Sequence, residues 1–215
     1  KGYKNLTKLS SIGYVNGFYF GVPRISKEMI SEYKEDLIAL TAGTLGDIPS
    51  TILEFGEQKG EEVFKWWKES FQDDFYVQIQ NHEVEEEEHL NDVLLEFAEK
   101  YETKILAQNE TFYTEKSDAH IQDILYCIKD GEKLSSPVGK GFGKRRGLPT
   151  HEFYIKNEDE LKQTFRQFPD AFEAYSEFLA KFEPYTLKRD VLLPEFGIPE
   201  EFLSEEDQLD GGKRG

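Results

Sequence analysis

The sequence predicts an α/β fold, in the form of a partial (β/α) barrel followed by a mostly helical extension. Three observations lead there. Apolar residues recur alternately at helical and at strand spacing through the first half of the chain. The strand-like runs are almost continuously apolar, as in a parallel sheet covered on both faces. After Tyr113 the strand signals fade and helical periods dominate, interrupted by a Gly- and Lys-rich loop.

Leu6, Leu9, Ile12 and Val15 mark a helix that ends at Gly17, and Tyr19-Phe20-Gly21-Val22-Pro23 breaks the period as a loop. Ser26 is suited to cap a short helix through Tyr33, with Met29 and Ile30 on its buried side. Asp36 to Ala42, closed by Gly43, reads as a strand buried on both faces. Helices over 48–55 and 61–71 follow. The second carries Trp66 and Trp67, one ring destined for the core and the other for a partly exposed site. Asp74 to Gln80 is the next strand. A helix from Val84 to Tyr101 presents Leu90, Val93, Leu94, Phe97 and Ala98 on one side, and the strand at Ile105 then runs into Asn109-Glu110. Strand, helix, strand, helix in this order implies parallel pairing.

The extension reads as a helix over 119–128, a loop over 131–149, a strand-like run over 152–155 and helices over 158–168 and 169–182. A connector punctuated by Pro184, Pro194 and Pro199 follows. Roughly four strand–helix units are too few to close a barrel, which takes about 250 residues. The remaining strands are expected before Lys1. Tyr3, Tyr14, Phe18, Tyr19 and Phe20 are expected to pack against that missing half.

Composition narrows the function classes. The 215 residues include 26 Lys and Arg against 43 Asp and Glu, a net charge of -17, so most of the surface repels a polyanion and any nucleic-acid contact must be local. Cys127 is the single cysteine, which excludes an intramolecular disulfide and a thiolate zinc cluster and fits a reducing cytoplasm. No run approaches the roughly 20 apolar residues needed to span a bilayer.

The chemistry-bearing residues collect where strands end. In a β/α protein ligands and metals are met at the carboxyl ends of strands, and there lie Asn109, Glu110 and, after the preceding strand, His82. Phe112 stands two residues past Glu110, where a metal site would want a lone-pair donor, and a hydrocarbon ring has none. His82 is read either as a surviving metal ligand or as an exposed loop histidine; His89 falls among solvated glutamates, and His120 lies on the next helix. The one basic feature is the loop 139–147, with Lys140, Lys144, Arg145 and Arg146 around Phe142. It is read either as a nucleic-acid contact, cations on phosphates and ring on a base, or as a surface loop that balances the acidic background.

Taken in order, Gly2-Tyr3-Lys4-Asn5-Leu6-Thr7-Lys8-Leu9-Ser10, Asp36 to Gly43, Phe75 to His82, Leu106 to Tyr113, Asp123 to Gly131 and Leu192-Leu193-Pro194-Glu195-Phe196 resemble the alpha subunits of bacterial DNA polymerase III over almost the whole chain. The resemblance implies that residues 1–115 form the C-terminal part of a polymerase and histidinol phosphatase (PHP) barrel, and that 116–215 begin the polymerase region. It implies a parent enzyme for template-directed DNA synthesis that uses Mg2+, DNA and dNTPs. Its partners would be a proofreading exonuclease subunit and other holoenzyme subunits, in the cytoplasm and away from membranes.

The family's catalytic aspartates would fall beyond Gly215, so no catalytic residue is assigned here. Metal-competent relatives bind divalent Zn2+ or Mn2+ and can cleave phosphoesters in 3′-5′ exonuclease fashion. Their Asn-Asp-x-His pattern maps onto Asn109, Glu110, Thr111 and Phe112, leaving His82 and Glu110 as remnants of a degenerate site. The expected role is scaffolding, with a metal-dependent phosphoesterase as the alternative.

Overall fold

The computed structural model describes residues 1–139, 141–186 and 188; Lys140, the 192–196 segment, Pro194 and Pro199 lie outside it. Lys1–Leu179 form one compact unit, and the chain from Ala180 onward forms a second.

The first helix, α1 (Gly2–Val15), leads into a hairpin, β1 (Phe18–Tyr19) and β2 (Val22–Pro23), with Phe18 opposite Pro23 and Tyr19 opposite Val22. This stretch was expected to be a loop. Phe20 at φ 48° and Gly21 at φ 78° form its tip, and two consecutive left-handed residues suit the twist of a tight antiparallel turn. Ser26 accepts the Met29 amide and caps α2 (Lys27–Tyr33), as its sequence promised.

The central sheet is parallel, in the order β3 (Ala39–Leu40), β4 (Phe75–Ile79), β5 (Ile105–Ala107). Alternation of strand and helix, with α3 (Asp47–Phe55), α4 (Glu57–Phe71) and α5 (Glu85–Lys100) between the strands, gives a mixed α/β fold. β3 is much shorter than the apolar run suggested. Asp36 at φ 60° and Ala42 at φ 63° turn the backbone into the left-handed region at both ends, where strand pairing stops. Thr41 extends the edge through its hydroxyl, which accepts the Gln78 amide at 2.9 Å.

β4 is buried along its full length. Phe75, Val77 and Ile79 enter a core made with Ile48, Ile52, Phe64, Leu94 and Phe97. Tyr76, on the opposite face by strand alternation, meets Phe178 edge-on at 5.3 Å. Trp66 and Trp67 are both half-buried, and of the two it is Trp67 that packs against the core: its indole N–H donates to Asp47 at 2.9 Å, while the Lys27 ammonium sits 4.9 Å from the Trp66 ring.

The extension is helical, with α6 (Ala119–Asp130), α7 (Glu158–Thr164) and α8 (Tyr175–Ala180). Asn157 caps α7 through a reciprocal box with Glu160. The helix expected over 169–182 is divided instead into a 3-10 turn at Pro169–Phe172 and α8. The tight turn carries Ala171, which is fully buried, into the same core as Phe165 and the sheet residues. The extension therefore packs back on the sheet that precedes it.

Candidate functional site

His82 lies just past β4 and is 0% exposed, which removes the reading of it as an open-loop histidine. Its surroundings come from three other parts of the chain. The Glu87 carboxylate accepts the His82 backbone N–H at 2.6 Å on one oxygen and lies 2.8 Å from Nδ1 on the other. A carboxylate can only accept, so Nδ1 carries the proton and Nε2 the lone pair. That lone pair accepts the Glu110 backbone N–H at 3.1 Å, with the Glu110 carbonyl 3.2 Å away. The ring stacks on Phe153 at 4.3 Å and 2°, and the His82 carbonyl accepts the Thr150 hydroxyl at 2.6 Å.

The place of Glu87 in the run Glu85-Glu86-Glu87-Glu88 predicts a solvated side chain, and the structure buries it. It is buried because it is the third residue of α5, from which a carboxylate reaches back to amides before the helix, and the amide and ring of His82 are both there. The spacing His82-x-x-x-x-Glu87 was the available signal, hidden within Glu85-Glu86-Glu87-Glu88. The other three glutamates of that run are exposed, and so is His89.

Glu110 meets His82 only through its main chain, and its side chain is exposed. Phe112 is 39% exposed, hydrogen-bonds through its N–H to the Phe153 carbonyl at 2.9 Å, and places its ring 5.8 Å from that of Phe153. Phe112, Phe153 and His82 thus form a column of rings.

Beside this column lies a second polar cluster that sequence reasoning did not find. The Lys156 side chain is 2% exposed. Its ammonium donates to the Asn109 side-chain carbonyl at 3.1 Å and to the Glu152 backbone carbonyl, and sits 3.5 Å from the Glu152 carboxylate. Lys116 closes a further ion pair on Glu152. Burial pushes the Lys156 ammonium below the usual lysine range, against the pull of Glu152. The Asn109 amide nitrogen donates to the Tyr154 carbonyl at 2.8 Å. Asn109 is therefore held at both ends of its amide.

Among the described residues, no group of three or more His, Cys, Asp or Glu side chains is placed to hold an ion. No described helix is long and apolar enough to cross a membrane. His120 borders a cavity of about 210 Å³ between α6 and the 148–151 segment, with its Nδ1 2.9 Å from the Ser117 carbonyl.

The basic loop is differently built from its expectation. Arg145 is buried at 7% exposure, and its guanidinium grips both oxygens of Asp123, one at 2.6 Å, and donates from Nε to the Ser136 carbonyl at 2.8 Å. Four of its five N–H donors are used within the chain, the fourth on the Arg146 carbonyl at 3.2 Å, and these contacts anchor the loop. Lys144 and Arg146 are exposed, the latter 4.5 Å above the Tyr126 ring.

Residues 1–82 match the family model of the PHP domain. The match covers β3, β4 and His82, and stops before α5 and β5. Along most of its length the chain is also similar to DNA polymerase III alpha subunits. It is 34% identical over 202 residues to that of Borreliella burgdorferi (94% of this chain), 35% identical over 161 residues to that of Thermus aquaticus (75%), and 32% identical over 215 residues to that of Aquifex aeolicus (95%). The chain belongs to the family of these alpha subunits, and spans only 17%, 13% and 18% of their respective lengths.

Proposed function

We propose that this chain is a structural PHP-type segment of a replicative polymerase subunit, whose parent protein carries out template-directed DNA synthesis with Mg2+, dNTPs and DNA. The single observation that carries the reading is the closure of His82. Both ring nitrogens are satisfied within the chain, so no lone pair remains for a zinc or manganese ion.

The rest of the donor set does not fit a metal cluster either. Asn109 is bound by Lys156, Glu110 contributes its main chain, and Phe112 carries no donor. What the geometry can do is mechanical. His82 ties the ends of β4 and β5, the start of α5 and the 150–153 segment together, and so helps join the PHP-like part to residue 115 with the polymerase-like part beyond it. A scaffold held in this way could present a surface to a proofreading exonuclease subunit or another holoenzyme partner.

Calorimetric titration of the 215-residue chain with Zn2+ or Mn2+, alongside hydrolysis of a phosphodiester ester, tests this. Neither stoichiometric binding nor hydrolysis is expected. Tight binding that disappears in His82→Ala would overturn the reading in favour of a metal-dependent phosphoesterase.

A further inference from the structure

α6 presents two unlike sides. At about 100° per residue, Ala119, Asp123, Tyr126 and Cys127 fall on one side of the helix, and Ile121, Ile124, Leu125 and Ile128 on the other. The first side is turned to the chain's own interior: Tyr126 and Cys127 are buried, and both Asp123 oxygens are held by Arg145. The second faces solvent.

All four aliphatic side chains of that second side are exposed, Leu125 at 52% and Ile128 at 72%. They recur at i, i+3, i+4 and i+7, which makes an apolar stripe roughly 100° wide with no charged residue inside it. Single exposed aliphatics are ordinary on a protein surface. Four on one helix face, uninterrupted by charge, mark an interface.

We infer that this stripe is the docking face for a helix of the parent polypeptide that lies outside these 215 residues, a helix with a charge-free apolar side of its own. A permanent contact resembles a core cut in two, whereas a surface that a partner visits and leaves is more polar, and the stripe is of the first kind. Charge argues against a second copy, because each chain carries -17 and two would repel. The same polypeptide has the material to supply the helix, since these residues span only 17%, 13% and 18% of the three alpha subunits compared above. The inference rests on the reading of the chain as a segment of a longer subunit. It is independent of the closure of His82, so the metal titration and the experiment below can fail separately.

Hydroxyl-radical footprinting read by mass spectrometry, on the 215-residue chain and on the purified parent subunit without its partners, tests it. In the shorter chain Ile121, Ile124, Leu125 and Ile128 are expected to label as exposed side chains do. In the parent their labelling should fall to that of the core residues Leu90 and Leu94. The variant Leu125→Glu/Ile128→Glu is expected to leave the thermal midpoint of the shorter chain unchanged, since both side chains stand in water, and to lower that of the parent. If the variant parent does not fold, the footprint of the unsubstituted protein still decides. Labelling that is equally strong in the monomeric parent overturns the proposal and leaves the face to a separate protein. Protection confined to fractions that light scattering shows to be dimeric also overturns it, and assigns the face to a second copy.

Discussion

The carboxylate of Glu87 receives both the backbone N–H and the Nδ1–H of His82, at 2.6 and 2.8 Å, in a buried site: the histidine is 0% exposed and the glutamate 7%. The pair fixes the tautomer of the imidazole and so turns Nε2 toward Glu110 as an acceptor. Within the chain, His82 fastens the end of β4 to α5 and to the segment after β5.

His82→Ala is expected to destabilise the chain by about 3 kcal/mol, because it leaves a cavity against Phe153 and half-strips a buried carboxylate. Glu87→Ala should cost a similar amount. The double variant should cost clearly less than the sum, since each single change already breaks the shared contact. Urea unfolding of the four proteins measures this cycle.

Lys156→Met is expected to cost about 3 kcal/mol, because Glu152 and the Asn109 carbonyl lose a buried cation. The pH dependence has a definite sign. The folded ammonium is held below the ordinary value of 10.5, so the unfolded chain binds more protons within that window, and the lysine's contribution raises stability as pH climbs toward 10.5. Lys156→Met should remove that rise in unfolding experiments between neutral pH and pH 10.5.

Glu61 is held down to about 2 by hydrogen bonds from Lys100 and Tyr101, against an ordinary 4.5. A depressed carboxyl contributes stability above its unfolded value and loses it as pH falls from 4.5 toward 2. Glu61→Gln should flatten the acid limb of the stability curve over that window. Unfolding midpoints recorded across the acid range decide it.

Arg145→Lys is expected to loosen the loop over 131–147 although the charge is kept, because a single ammonium cannot reproduce the two-pronged grip on Asp123 together with the bond to Ser136. Hydrogen exchange of the Gly139 and Arg145 amides, which bond across the neck of the loop at 3.0 and 2.9 Å, should accelerate by about tenfold for each 1.4 kcal/mol lost. Exchange as slow as in the parent chain would contradict an anchoring role for Arg145.

The sequence by itself determined the elements whose signals are local. Ser26 announces a helix start because a cap acts across three residues, the apolar stripe of α5 follows from its period, and β4 follows from its strand-like run. It also placed His82, Asn109 and Glu110 near the ends of strands. Tertiary structure alone decided what those residues do. The same Glu87 could sit in water or under His82, and the same Arg145 could face a phosphate or Asp123; the choice rests on partners distant in sequence, such as Phe153 for His82 and Ser136 with Asp123 for Arg145. Burial strengthens a satisfied polar contact and penalises an open one, so the return of the extension onto the sheet is what gives these contacts their weight in the fold.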